Sequence, residues 1–133
     1  ISNELSVIDA KGLGHPSLAA SNRVTSDCVI AKKDFFMVTG ANMAGKSTFL
    51  RTVSLSILMS NIGLPVCAQE MRYNPIKLIT SIRNSDSLSE DTSYFFSELK
   101  RLKYIVDAIK DDNYFIVLDE ILKGTPKNAS ALL

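Results

Sequence analysis

The chain has 133 residues, 46% of them hydrophobic, and a formal net charge of +1. This composition predicts one folded domain with a hydrophobic core, and no apolar run reaches the roughly 18 to 20 residues of a membrane span. The amino end has no basic segment followed by an apolar one, so we expect a cytoplasmic protein. Because a domain that holds DNA by itself is usually strongly basic, we expect any DNA contact to be made elsewhere in the protein. The two cysteines have no paired spacing, which favours structural thiols over a metal site.

The amino-terminal segment predicts two short strands with a turn between them. Residues 4–9 and 28–31 are the strand candidates. Gly12-Leu13-Gly14 resembles the start of a dinucleotide-binding fingerprint, but Ser17 stands where the third glycine is required, so a turn is favoured. His15 is interpreted as a turn residue because it precedes a proline.

Residues 40–48 fit the pattern Gly-x-x-x-x-Gly-Lys-Ser/Thr at every specified position. The apolar run Phe35–Val38 before them predicts a buried parallel strand, and helical spacing of apolar residues begins at Ser47. Strand, glycine loop and helix is the order of a phosphate-binding loop, whereas the alternative is an ordinary glycine turn. We predict that the loop binds a nucleotide through Gly40, Ala41, Asn42, Met43, Ala44, Gly45, Lys46, Ser47 and Thr48.

The residue types of the loop suit phosphate chemistry. Gly40 and Gly45 permit backbone angles that let successive N–H groups turn inward around an anion. A helix that begins near Lys46 adds its unpaired N–H groups and the positive end of its dipole. Lys46 is predicted to stabilise the charge of the outer phosphates, and the Ser47 hydroxyl to bind a magnesium ion.

The middle of the chain predicts two helices and two strands. The first helix is expected from Lys46 to about Ile62, with stop signals at Gly63 and Pro65. Residues 66–68 and 76–83 are strand candidates. The second helix has an apolar stripe expected to pack on a sheet, formed by Phe95, Leu99, Leu102, Val106 and Ile109. The side chains expected to face away from the sheet are Glu98, Lys100, Arg101, Lys103 and Lys110.

Residues 114–120 read as five apolar residues followed by Asp119 and Glu120. Open α/β sheets bind ligands at the carboxyl ends of their strands, where these two acids are predicted to lie. Asp119 is suited to hold magnesium, and Glu120 to orient or deprotonate an attacking water. The alternative is a solvated turn after a strand, which is favoured by the motif alone but not beside a phosphate-binding loop.

Alternating strands and helices predict an α/β fold of the P-loop NTPase type, with a mostly parallel sheet flanked by helices. The phosphate-loop strand and the Asp119 strand are expected to be central because both are continuously apolar. We expect residues 1–133 to be a single ATPase domain that lacks its carboxyl-terminal part, because the chain ends soon after the second acidic strand.

Several segments together resemble the ATPase domain of MutS-type DNA mismatch repair proteins. They are the loop Thr39–Thr48, with its Asn-Met pair, the segment Gly63–Ala68, and Asp119-Glu120-Ile121 with Gly124-Thr125. Residues 82–88 are similar to a family segment that precedes the signature stretch. Residues 93–98 match that stretch at Ser93, Phe95 and Glu98. The chain departs from the family at Leu122-Lys123, where Gly-Arg is usual, and its only histidine does not occupy the position of the family's switch histidine.

The resemblance implies an ABC-like ATPase head that binds ATP with magnesium and closes against a second head, as in a homodimer. Ser93 would approach the nucleotide of the partner head, and DNA would be bound through other domains of the parent protein. We expect ATP hydrolysis coupled to DNA-bound conformations. The alternative is a nucleotide-dependent dimerisation switch with negligible hydrolysis. A small-molecule kinase is less favoured, since the arginines between the motifs are scattered.

Overall fold

The computed structural model describes residues 6–41, 45–82 and 91–121, with the backbone alone for 91–94. The strands are β1 (Ser6–Leu13), β2 (Ser26–Ala31), β3 (Glu70–Tyr73), β4 (Lys77–Ser81) and β5 (Tyr114–Leu118). The helices are α1 (Lys46–Asn61) and α2 (Asp91–Ala108), with a short 3-10 helix at Ala20–Asn22. The chain divides into two compact units, the first ending at Leu78 and the second beginning at Ile79. No helix within the described ranges is long and apolar enough to cross a membrane.

The first unit contains an antiparallel sheet in the order β2-β1-β3. Ile8 in the central strand lies opposite Ile30 on one side and Tyr73 on the other. Val7 and Ile8 are both buried, so both faces of β1 are covered at this point, because successive side chains of a strand point to opposite faces. The segments 4–9 and 28–31 were predicted to be strands, and this is confirmed. Both strands are longer than expected.

The turn predicted over residues 12–17 forms only in the second half of that segment, because β1 continues to Leu13. The register of β1 against β2 shifts between Ala10 and Leu13, which marks a bulge. Gly12 has a φ of 60°, and its N–H donates to a carboxylate oxygen of Asp27 over 2.9 Å. A left-handed residue at the bulge thus lets the strand continue where a turn was expected.

The turn occurs a few residues later, at His15. Its carbonyl accepts a hydrogen bond from Leu18 N–H over 3.2 Å, and its Nδ1 accepts one from Ser17 N–H over 3.2 Å. The interpretation of His15 as a turn residue is therefore confirmed.

Residues 66–68 do not form the predicted strand, and β3 begins at Glu70 instead. The Cys67 carbonyl accepts a hydrogen bond from Gly14 N–H over 2.8 Å, and Gln69 N–H donates to the Lys11 carbonyl over 2.9 Å. These bonds lie on the two sides of the β1 bulge. The bulge interrupts the regular ladder, so these residues pair with β1 without continuing a strand.

The first helix is confirmed almost residue for residue. Its carboxyl end has Gly63 in the left-handed region at φ 76°. Leu64 N–H donates to the Met59 carbonyl over 2.8 Å and Gly63 N–H to the Ser60 carbonyl over 3.2 Å, which is the Schellman arrangement. The glycine stop signal in the sequence therefore corresponds to a physical cap.

No strand forms over the predicted segment Phe35–Val38. Phe35 is 85% exposed and Met37 is 76% exposed, although the run is continuously apolar. A buried strand requires neighbours that accept and donate its backbone hydrogen bonds. The edges of the described three-stranded sheet are β2 and β3, and no described strand pairs with residues 35–38. Apolar composition predicted burial here, but the pairing that would produce it is not present among the described residues.

The second unit contains a βαβ arrangement. β4 and β5 are neighbours, and Asp119 N–H at the end of β5 donates to the Ser81 carbonyl at the end of β4 over 2.9 Å. The carboxyl ends of the two strands therefore meet, so the strands run parallel, and α2 connects them. Among the described strands β4 and β5 are parallel and β1 to β3 are antiparallel, and the mostly parallel P-loop NTPase fold stays a prediction.

The face of α2 that was predicted to be buried is partly wrong. Leu99 is 41% exposed, Val106 53% and Ile109 45%, whereas Ile105 is 5% exposed. Glu98, expected to face away from the sheet, is half-buried. The covered face follows positions 95, 98, 102 and 105, so the helix is rotated relative to the predicted stripe.

Candidate nucleotide-binding site

The amino end of α1 has the backbone geometry expected of a phosphate-binding loop. Gly45 is the N-cap, with φ 83° and ψ 11°, and its carbonyl accepts a hydrogen bond from Phe49 N–H over 2.9 Å. A side-chain Cβ at Gly45 would meet nothing within 4 Å. Glycine is therefore required here for its backbone angle and not for space.

The electrostatics of this helix end favour an anion. The N-cap residue Gly45 makes no side-chain cap hydrogen bond, and the first turn of α1 contains no acidic residue. The positive end of the helix dipole is therefore not neutralised by the residues that begin the helix. Orphan N–H groups with such a dipole form a binding site for phosphate or carboxylate.

The residues of the predicted loop precede the start of α1 and include its first three residues. Gly40 and Ala41 are exposed and lie outside regular structure. Lys46 and Ser47 are half-buried in the first turn of α1, and Thr48 is exposed beside them. Asn42, Met43 and Ala44 lie outside the described residues.

The acidic pair follows β5 directly, which confirms its predicted placement at the end of a strand. Asp119 is half-buried and held by its backbone bond to Ser81, whereas Glu120 is exposed. Glu120 has a φ of 53°, a left-handed angle that is unfavourable for a residue with a side chain. Such angles occur at functional sites, where the surrounding structure holds them. A turn does begin at these residues, so the alternative interpretation describes the local backbone correctly.

The two halves of the predicted site belong to different units. Lys46 and Ser47 lie in the first unit, and Asp119 and Glu120 in the second. The shared metal and nucleotide site of these residues is therefore a prediction. Ser93 lies near the start of α2, and Gly124-Thr125 and residues 83–88 lie outside the described residues.

The sequence matched Glu98 to the signature stretch, but it placed Glu98 and Arg101 on the face of α2 directed away from the sheet. Within the described ranges, the Glu98 Oε2 atom is buried and has no hydrogen-bond partner. The Arg101 guanidinium donates through Nη2 to the Thr80 carbonyl on β4 over 2.9 Å. Including Ile105 in the apolar stripe gives the spacing 95, 98, 102 and 105, which would have placed Glu98 on the covered face.

A concave region with a volume of about 290 Å³ lies beside the β1 bulge. It is lined by residues that include Gly12, Arg23, Cys67 and Gln69. Arg23 is held in place because its Nε and Nη2 donate to the Leu18 carbonyl over 3.1 and 2.6 Å. Cys67 is a free, half-buried thiol. Within the described ranges, no cluster of three or more His, Cys, Asp or Glu side chains is placed to hold a metal ion.

The sequence matches a known family over most of its length. Residues 36–131 match the family model described as MutS domain V. This range begins just before the glycine loop and extends past the acidic pair. The chain therefore belongs to the MutS domain V family.

Individual relatives agree with this assignment. The chain is 36% identical over 130 residues to the DNA mismatch repair protein MutS of Finegoldia magna, covering 92% of this chain and 15% of that protein. It is 33% identical over 127 residues to the DNA mismatch repair protein MSH6 of Arabidopsis thaliana, covering 89% of this chain and 10% of that protein. It is 32% identical over 116 residues to human MutS protein homolog 4, covering 84% of this chain and 12% of that protein. The chain thus spans between a tenth and a sixth of the length of these relatives.

Proposed function

We propose that this chain is the ATP-binding and ATP-hydrolysing core of a MutS-family DNA mismatch repair protein. The observation that carries the proposal is the amino end of α1, where Gly45 adopts a left-handed angle before Lys46 and the first turn contains no acidic residue. Such a helix end binds phosphate. The glycine pattern before it restricts the ligand further, to a nucleotide.

The roles of the side chains follow from their chemistry. Lys46 stabilises the charge of the outer phosphates as a mobile cation. Ser47 and Asp119 supply a hydroxyl and a carboxylate oxygen, the hard oxygen ligands that magnesium prefers. When bound, magnesium neutralises charge on the phosphates. Glu120 accepts a proton from the water that attacks the terminal phosphorus, and the bond to the leaving ADP oxygen breaks.

The proposal extends to the parent protein. ATP turnover changes the conformation of the DNA-bound protein, and the DNA is held by other domains, because this chain carries a net charge of only +1. A second ATPase head, most simply from an identical protein, completes the site through its Ser93.

The proposal is tested with Glu120→Gln and Lys46→Ala in the full-length protein. Glu120→Gln is expected to retain ATP binding and to reduce turnover by about a hundredfold or more, because a general base contributes on that order. Lys46→Ala is expected to weaken ATP binding itself. Asp111→Asn is the matched control for Glu120→Gln, since Asp111 is an exposed carboxylate in the turn after α2. Unchanged hydrolysis in the Glu120 variant would refute its assigned role.

The same measurements separate hydrolysis from a binding switch. A switch would bind ATP in the wild-type protein with turnover no greater than that of the Glu120 variant. Adding an excess of full-length protein supplies the second head, so a rise in turnover under that condition supports the composite ATPase.

A further inference from the structure

Arg101 attaches α2 to the end of β4 beside the acidic pair. Its Nη2 donates to the Thr80 carbonyl over 2.9 Å. The next carbonyl along β4, that of Ser81, accepts the hydrogen bond from Asp119 N–H over 2.9 Å. Two consecutive carbonyls of β4 therefore accept hydrogen bonds, one from α2 and one from the first residue of the acidic pair.

The neighbour of Arg101 on the same helix is an unsatisfied acid. The Glu98 Oε2 atom is buried and has no hydrogen-bond partner among the residues that the structure describes. Glu98 precedes Arg101 by three residues, a spacing at which helical side chains meet and opposite charges attract. A buried carboxylate oxygen without a donor is strongly unfavourable.

The Arg101 side chain can donate hydrogen bonds to the Thr80 carbonyl or to the Glu98 carboxylate. A guanidinium carries five N–H groups in a planar fork. In the structure this fork is directed to Thr80, and its Cζ atom lies 5.3 Å from the centre of the Tyr104 ring. The nearby Lys103 is bound to Asp107 over 3.1 Å and Lys100 lies over the Phe96 ring, so neither is directed to Glu98.

We propose that Arg101 alternates between two acceptors, the Thr80 carbonyl and the Glu98 carboxylate, and that binding of magnesium and ATP favours the Glu98 arrangement. This inference rests on the proposed ATPase function. With Arg101 on Thr80, α2 is attached to the strand that holds Asp119. With Arg101 on Glu98, the buried acid is satisfied and α2 is released from β4. Arg101 is a positioning residue, because it acts through the helix that carries Ser93 and touches no reacting atom.

Amide hydrogen exchange on the full-length protein tests the proposal, followed over residues 95–108 with and without magnesium and ATP. In the wild type, ATP is expected to accelerate exchange in α2 by about tenfold, since one charge-assisted hydrogen bond to β4 is lost. In Glu98→Met the alternative acceptor is absent, so ATP is expected to leave the exchange unchanged. In Arg101→Met exchange is fast with or without ATP, and Arg101→Lys, which keeps a cationic donor, restores part of the difference.

Two further variants test whether the charge of Glu98 is required and whether the effect is specific to Arg101. Glu98→Gln keeps the size of the side chain and loses its charge, so the ATP-dependent difference is expected to shrink without loss of folding. Lys100→Met is the control, because Lys100 is exposed on the same helix and is expected to behave as wild type. Glu98→Met is also expected to lower kcat for ATP hydrolysis with KM unchanged, an effect that a purely structural role would not separate.

An ATP-dependent change in Glu98→Met equal to that of the wild type overturns the inference. So does a wild-type protein that binds ATP without any change in α2. ATP binding is measured on the same samples. A protein that does not bind ATP refutes the proposed function, whereas a protein that binds ATP without a change in α2 refutes only the role of Arg101.

Discussion

The backbone N–H of Asp119 donates a 2.9 Å hydrogen bond to the carbonyl of Ser81, and this bond joins the carboxyl ends of β5 and β4. It fixes the backbone from which the Asp119 carboxylate extends. The Asp119 side chain is half-buried there, at the position where a parallel sheet places its ligands. In the proposed ATPase this bond sets the metal-binding carboxylate relative to the exposed Glu120.

Gly45→Ala is expected to destabilise the protein by about 1 kcal/mol, because alanine is unfavourable at a φ of 83°. The open space around the residue excludes a steric contribution. Gly63→Ala is the matched control, since Gly63 is also left-handed, at φ 76°, and also has nothing within 4 Å. Denaturant unfolding should show similar losses for both variants, whereas isothermal titration should show weaker ATP binding for Gly45→Ala alone. Equal ATP affinities in the two variants would contradict a role of Gly45 in the phosphate loop.

Ile8→Ala is expected to reduce the free energy of unfolding by about 2 to 4 kcal/mol, through lost burial and the cavity left behind. Ile8 is 0% exposed in the central strand of the first unit. Val29→Ala on the adjacent strand is the control, because Val29 is 59% exposed and its loss should cost less than about 0.5 kcal/mol. Chemical denaturation of both variants measures the difference. A Val29 variant as unstable as the Ile8 variant would contradict the described core.

The two free cysteines are expected to differ in reactivity. Burial raises the pKa of the Cys28 thiol, so less of it is the reactive thiolate at neutral pH. Cys67 is only half-buried beside the β1 bulge. A thiol reagent in the native protein should therefore modify Cys67 first, and labelling of Cys28 should require higher pH or unfolding. Mass spectrometry of partially labelled protein identifies the order, and faster labelling of Cys28 would contradict its burial.

The α2 carboxylate Asp107 is expected to titrate below its ordinary range. Its hydrogen bond with Lys110 is the larger cause of the lowered pKa, and Lys103 adds a second hydrogen bond and a charge. Because the folded pKa is lowered, the stabilisation is present above the ordinary pKa near 3.8 and is lost as the pH falls through the folded value. In an NMR titration, Lys110→Ala and Lys103→Ala should each raise the pKa of Asp107, and an unchanged value in both variants would contradict the assignment.

The features that were predicted correctly depend on local signals. The α1 helix follows from a glycine before Lys46 and a capping glycine at position 63, and both act within a few residues. The strand β5 follows from five consecutive apolar residues before Asp119. In each case the residues that define the element are neighbours in sequence.

The features that were missed depend on partners distant in sequence. The run Phe35–Val38 has the composition of a buried strand, but only a pairing strand would make it one. The covered face of α2 includes Ile105 and not Val106, which depends on what packs against the helix and is not reported by periodicity alone. The hydrogen bond from Arg101 to the Thr80 carbonyl joins residues 21 positions apart, which the spacing of side chains along α2 does not report.

The central claim is that Lys46 and Asp119 act on one metal-bound nucleotide. A double-mutant cycle tests it most directly, with the affinity for ATP and magnesium measured in the full-length protein for Lys46→Ala, Asp119→Ala and the double variant. The account predicts that each substitution weakens binding and that the two effects couple by about 0.5 kcal/mol or more, as expected for groups that share a ligand. Wild-type affinity in Asp119→Ala, or fully additive losses in the double variant, would contradict it.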